Sequence, residues 1–195
     1  MAFSALTLVS PAQQQHSPKP LDPLSPAELR NAKLLVRSAP EVKRALGEEN
    51  FTICSVDFVS PKVPLSGTGE STRKARVIAY NRDTNRAIAA TVDLTGNRLV
   101  DIQPIDSQDV PLAPEEAREA KTIALEDGRV QALVKRKPAE FKIDAILLQS
   151  SEQTDPCNAD RCVALSFQRG GEYIAGTSVI VNLSKKTVSV QSATH

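Results

Sequence analysis

Tryptophan is absent from these 195 residues, tyrosine occurs twice, and aromatic side chains of all kinds reach only 4%. A core must therefore be filled by Val, Leu, Ile and Ala. Histidine is as scarce, with His16 and His195 the two examples. A Ser or Cys nucleophile generally needs a positioned base, and imidazole is the usual one. The same scarcity excludes a three-histidine metal site within this chain. An excess of one charge is missing too: 24 basic and 23 acidic residues leave a net charge of +1. Residues 24–106 carry 12 basic and 10 acidic side chains, and residues 112–195 carry 11 of each. Neither half has the basic surplus of a nucleic-acid binder, so no nucleic-acid partner is expected. No apolar run approaches the ~20 residues that span a bilayer, so no membrane span is expected either.

What is present begins with two ambiguous features. Ala2 to Ala12 has a short apolar core ending in small residues, as a signal peptide does, but lacks a basic leading region. It reads equally as a short or truncated signal peptide and as a disordered tail. Gln13 to Pro20 is a polar, Pro-containing linker. Of the three cysteines, Cys157 and Cys162 flank Asn158–Arg161, with Pro156 just ahead. That spacing suits a small disulfide loop in an oxidising compartment, the alternative being two reduced thiols at a hairpin mouth. We take the disulfide as the expectation, because it and the N-terminal segment point to the same compartment. Cys54 lies in an alternating apolar run and is expected to be a buried core thiol.

The organising feature is a repeat. Leu24-Ser25-Pro26-Ala27-Glu28-Leu29-Arg30-Asn31-Ala32-Lys33 returns as Leu112-Ala113-Pro114-Glu115-Glu116-Ala117-Arg118-Glu119-Ala120-Lys121, at an offset of 88. Ser25 can cap a helix, Pro26 suits its first position and Glu28 completes a capping box. Leu29, Ala32, Val36 and Ala39 mark its buried stripe. Pro40 interrupts the pattern, and residues 41–46 predict a short second turn ending at Gly47. Four strands follow: Phe51–Phe58, Lys74–Tyr80, Ala87–Leu94 and Arg98–Ile102, with a long Gly/Pro loop from Ser60 to Thr72. In Phe51–Phe58 the odd positions are expected on one face and the even positions on the other.

The second copy answers the first with Phe141-Lys142-Ile143 at an offset of 90 and Val181-Asn182-Leu183 at 89. Its remaining strands are expected at Val163–Phe167, Tyr173–Leu183 and Thr187–Val190. The organisation is thus a signal-like or disordered segment over 1–19, a first α+β repeat over 20–106 and a second over 107–195. The fold class is α+β, each repeat one helix packed on a four-stranded antiparallel sheet.

No group of residues forms an active site by its sequence pattern. Cys157, Asp160 and Cys162 could hold a soft metal but lack a fourth ligand, so no metal is expected. Glu152, Asp155 and Asp160 read as solvated surface charge rather than paired catalytic carboxylates. Lys135-Arg136-Lys137 reads as a helix C-terminus favoured by the macrodipole. Ser66-Gly67-Thr68-Gly69-Glu70 lacks the Lys-Ser/Thr of a phosphate loop and the third Gly of a dinucleotide fingerprint. The site expectation is therefore no catalytic residue, no cofactor-binding residue and no cofactor, with Cys157 and Cys162 as the disulfide candidate.

Pro20-Leu21-Asp22-Pro23-Leu24-Ser25-Pro26-Ala27-Glu28-Leu29, leading into the Ala32/Val36 helix, resembles the start of the copper amine oxidases. The resemblance implies two tandem cystatin-like domains of the kind that precede the catalytic β-sandwich in that family, and it covers the chain from Pro20 onward. It does not carry the chemistry. The family's quinone-forming tyrosine lies in Asn-Tyr-Asp/Glu, whereas Tyr80 lies in Ala-Tyr-Asn and Tyr173 in Glu-Tyr-Ile. The copper histidines have no counterpart. The expectation is a non-enzymatic, exported binding or accessory protein, with another protein chain as partner and no oligomeric state set by the sequence. The alternative is a detached regulatory piece or subunit of an amine oxidase whose catalytic chain is separate. Protease inhibition ranks last, because the Gln-x-Val-x-Gly motif of cystatins is absent.

Overall fold

A computed structural model describes residues 22–47, 50–60, 72–135, 137–174 and 177–192. The signal-like segment and linker, His16, His195, Arg136 and the interior of the Gly/Pro loop, with Ser66–Glu70, lie outside the described residues. The first unit contains α1 (Pro26–Ser38), α2 (Pro40–Leu46) and strands β1 (Thr52–Val59), β2 (Lys74–Asn81), β3 (Arg86–Asp93) and β4 (Arg98–Ile105). The second contains α3 (Pro114–Glu126), α4 (Gly128–Leu133), β5 (Phe141–Leu148), a short α5 (Pro156–Ala159), β6 (Cys162–Arg169), β7 (Glu172–Tyr173), β8 (Thr177–Asn182) and β9 (Thr187–Ser192). Both sheets are antiparallel: β1-β2-β3-β4 in one, β5-β6-β8-β9 in the other with β7 paired to β6. The class is α+β, with helices on one face of each sheet.

The helices begin where local chemistry places them. The Glu28 backbone N–H donates to Ser25 Oγ (3.3 Å) and the Ser25 N–H to Glu28 Oε2 (2.8 Å), which closes the capping box. In α3 the cap is Ala113, whose methyl group cannot accept, so only the reverse bond remains: Ala113 N–H to Glu116 Oε2, 3.0 Å. The segment after Pro40 is a full seven-residue helix rather than a turn. It ends at Gly47, whose φ of 75° lies in the left-handed region that a side chain disfavours.

Two cores result. Ala32 and Val36 of α1 and Val42 and Leu46 of α2 meet Ala75, Val77, Ile88, Ala90 and Val92 of the first sheet. Ala120, Ala124, Val130 and Val134 meet Val163, Leu165, Phe167, Val179 and Val181 of the second. Alanine at the helix contact positions lets helix and sheet approach closely, which offsets the shortage of aromatic volume.

Three expectations need correction. The register of β1 against β2 shifts between Ile53 and Ser55. This bulge breaks the expected alternation: Phe51 and Ile53 face the helices, but beyond it Val56, not Ser55, packs on that core. Cys54 is buried on the opposite face. Secondly, Tyr173–Leu183 is not one strand. After the Gly170–Gly171 turn, β7 pairs with the end of β6, and β8 then pairs with its beginning in a different register. The second sheet accordingly has five strands rather than four. Thirdly, Lys135 does not end a helix by charge alone; α4 stops at Leu133 and Lys135 itself is left-handed, with φ of 49°.

Leu46 is fully buried and Leu34 is 65% exposed, which gives a direct check of this arrangement. Leu46→Ala should cost about 2–5 kcal/mol. Leu34→Ala should stay within about 0.5 kcal/mol of wild type. Urea unfolding followed by circular dichroism measures both, and similar losses would contradict the assignment of faces.

Candidate functional site

The two copies share an ion pair at the helix start, partly buried in the first and buried in the second. Glu28 of α1 meets Arg73, and Glu116 of α3 meets Arg161, each arginine 45 residues after its glutamate. Arg73 Nη2 also donates to Glu28 Oε2 (3.1 Å) and to the Pro23 carbonyl (2.8 Å). Arg161 donates from Nε to Glu116 Oε1 (3.1 Å), and from Nη2 to Glu116 Oε2 (2.9 Å) and the Pro111 carbonyl (2.9 Å). Its Nη1 reaches the Val110 carbonyl at 3.1 Å. The backbone repeats as well: Leu94 N–H bonds the Arg73 carbonyl (2.9 Å) and Leu183 N–H the Arg161 carbonyl (2.8 Å). A retained spacing of 45, across loops whose offset drifts, is the signal that could have revealed both arginines from the sequence.

The pairs differ in what lies beneath them. Arg73 stacks on Phe58 of its own sheet, with 5.0 Å from guanidinium carbon to ring centre. Phe58 pairs with the residue two after Arg73, and in the second copy Leu147 pairs with the residue two after Arg161; Arg161 stacks instead on Tyr80 of the first copy, also at 5.0 Å. A third apolar cluster joins Cys54, Tyr80 and Ala87 to Val110 and Ala113. Arg82, in the β2–β3 turn, donates to Glu119 Oε2 (2.8 Å) and to the Leu183 carbonyl (3.0 Å). The second clamp is therefore also the seam between the copies.

Beside this seam lies a shallow pocket of about 150 Å³, lined among others by Tyr80, Gln108, Leu148, Asn158 and Asp160. Cys157 and Cys162 line it as a disulfide, with Cα atoms 5.4 Å apart. The bridge closes a loop of sequence separation 5, and by chain entropy contributes about 2 kcal/mol. Arg161 is the residue before Cys162, so the bridge fixes the backbone that carries the guanidinium.

The remaining candidates have structural partners. Asp160 accepts from Lys185 Nζ and Asn182 Nδ2, both at 2.7 Å, and the lysine first and the amide second hold its carboxyl below the usual range. Asp155 Oδ1 caps α5 by accepting from the Cys157 N–H at 2.8 Å. Glu152 is exposed. Lys137 pairs with Glu140 at 3.1 Å. Burial, followed by the nearby Glu116 charge, pushes the Cys54 thiol up to about 12, so it stays protonated and unreactive. Burial also pushes Tyr80 up, against the lowering effect of Arg161.

Each clamp yields a measurable outcome. Glu116 and Arg161 are 3% and 5% exposed, so Glu116→Gln or Arg161→Met leaves one charge buried alone. Either change should cost about 3–5 kcal/mol, and the double replacement Glu116→Leu with Arg161→Met much less than the sum. A single-variant loss below about 1 kcal/mol in urea would contradict the burial of the pair. In the first clamp, the Arg73 hydrogen bonds hold Glu28 down to about 2 from 4.5, with Ser25 assisting and partial burial opposing. A lowered carboxylate stabilises the fold above its unfolded value. That stability should fall away as pH drops from about 4.5 to 2, and Glu28→Gln should flatten this part of the stability profile.

No protein-family model matches the chain, and no curated protein matches it. Among solved structures, the chain is similar to a copper-containing benzylamine oxidase from Hansenula polymorpha, with a TM-score of 0.54 and 15% identity. The match covers 89% of this chain and 30% of the oxidase chain. At that identity the likeness is one of fold, and this chain spans less than a third of the oxidase's length. It accords with the resemblance at Pro20–Leu29.

Proposed function

We propose that this chain is a non-catalytic binding or accessory module, exported to an oxidising compartment, whose two repeats correspond to the small tandem N-terminal domains of a copper amine oxidase. One observation carries the reading. Among the described residues, the ion pair, the disulfide and the carboxylate gathered at the seam hold the structure together, and the one free thiol there, Cys54, is buried and protonated. Arg161 and Glu116 neutralise each other, Cys157 and Cys162 are bridged, and Asp160 is occupied by Lys185 and Asn182. Acid-base or nucleophilic catalysis needs an available lone pair or transferable proton with a matched partner in hydrogen-bond reach, and these residues are engaged with one another instead.

The disulfide supports export, since such bridges persist where thiols are not kept reduced. A second reading has its own support. The fold likeness covers 30% of an amine oxidase chain, so the module could serve as a detached regulatory piece whose catalytic partner is another chain. Both readings make this chain a binder rather than the seat of the oxidation.

Incubating the purified full chain with Cu²⁺ in air should give no quinone staining and no amine-dependent peroxide. Either signal would end the non-catalytic reading. Non-reducing mass spectrometry of the natively produced protein should show the N-terminal segment removed and two hydrogens lost at Cys157 and Cys162. An intact N-terminus with free thiols would end the export reading.

A further inference from the structure

The duplication provides an internal control for surface function, because matched positions that differ in charge mark where the copies have diverged. Helices α1 and α3 start from the same motif, pack the same face on their sheets and have equal lengths. Their outer faces do not agree. α3 carries Glu115, Glu119 and Glu126, and the matching positions in α1 are Ala27, Asn31 and Ser38. Glu115 is bound by Arg118 (3.1 Å) and Glu119 by Arg82 (2.8 Å), so part of the acid on α3 is already matched.

On α1 the only carboxylate is Glu28, and it is clamped by Arg73. Arg30, Lys33 and Arg37 are exposed, and among the described residues no carboxylate lies within salt-bridge distance of them. Glu115, whose carboxyl Lys33 helps to lower, lines the same cavity as Lys33 and Arg37 and is bonded to Arg118. Amid these cations stands Leu34, 65% exposed, where α3 has Thr122. Arg37, at the place of Leu125, borders a cavity of about 240 Å³ whose lining is mixed, with Leu29, Ile53, Val56 and Pro114 beside Ser55 and Glu115.

We propose that this face of α1 is a docking surface for a partner protein that presents an acidic segment with an apolar side chain. The proposal rests on reading the chain as a binding module and names the chemistry of its partner. Exposed cations at one-turn spacing, Arg30, Lys33 and Arg37, the last of which also stacks over Phe51 at 5.9 Å, would meet carboxylates of the partner. Leu34, exposed among these cations, would meet its apolar anchor. Charge complementarity chooses this occupant: among the described residues Arg30, Lys33 and Arg37 make no salt bridge, and Glu115, the acid that lines the same cavity, is already bonded to Arg118. An evenly balanced chain argues against a nucleic acid as the occupant.

The test uses the full chain and a fluorescein-labelled peptide made of two Glu-Glu-Leu-Glu-Glu units, with a Leu→Ser version and heparin as comparison probes. Anisotropy should show saturable binding that weakens as salt rises. Arg30→Glu with Arg37→Glu should weaken it about tenfold or more, and Leu34→Ser or the Leu→Ser peptide about threefold. Lys121→Glu, at the matching place on α3, should leave it unchanged. Equal loss in Lys121→Glu, tighter binding of heparin than of the peptide, or no peptide binding at millimolar concentration would overturn the proposal. Sedimentation showing self-association that Arg37→Glu abolishes would also overturn it, by making a second copy the occupant. Peroxide release in the copper assay would remove the non-catalytic reading while leaving the binding result intact, so the two failures are separable.

Discussion

A carboxylate at the third position of each leading helix cannot leave water unless a cation goes with it, and the fold is arranged to supply one. Glu28 and Glu116 each bind the N–H that opens their own helix and an arginine at the start of the second strand. Each arginine then reaches back to the backbone just ahead of the helix. The result ties helix start, incoming chain and sheet into one node. Removing either charge would strand the other in a medium that cannot solvate it, which is why such a pair constrains the structure more than it stabilises it.

The second node does more than the first because of one aromatic exchange. With Leu147 in place of Phe58, Arg161 has no ring in its own sheet and takes Tyr80 of the first copy. The linker carbonyls of Val110 and Pro111 bond the same guanidinium, and Val110 and Ala113 close an apolar cluster over Cys54 and Ala87. The ion pair of the second unit thus also serves as the joint between the units. The disulfide next to Arg161 restrains that joint from the loop side.

Much of this was legible where the chemistry is local. The capping Ser25 and Glu28, the stripe at Ala32 and Val36, the stop at Gly47 and the Gly170–Gly171 turn depend on neighbours a few residues away, so their pattern survives in the chain. The Cys157–Cys162 loop was legible for the same reason. The bulge beside Cys54 was not, since it is defined by pairing with β2, and it turns Val56 rather than Ser55 onto the helix-side core. The split between β7 and β8 likewise depends on how β6 divides its hydrogen bonds. Arg73 and Arg161 carry no local signal, because their partners lie 45 residues away.

The central claim is that the second clamp fastens the linker and the two copies into one body. Native-state hydrogen exchange at the Ala113 amide, which donates to Glu116 Oε2 at 3.0 Å, tests it most directly. If the clamp holds, this amide exchanges only with the global opening that also releases Leu165 in β6, and with the same free energy. Exchange of Ala113 by local fluctuation, well ahead of Leu165, would mean that the linker moves freely and that the clamp does not join the repeats.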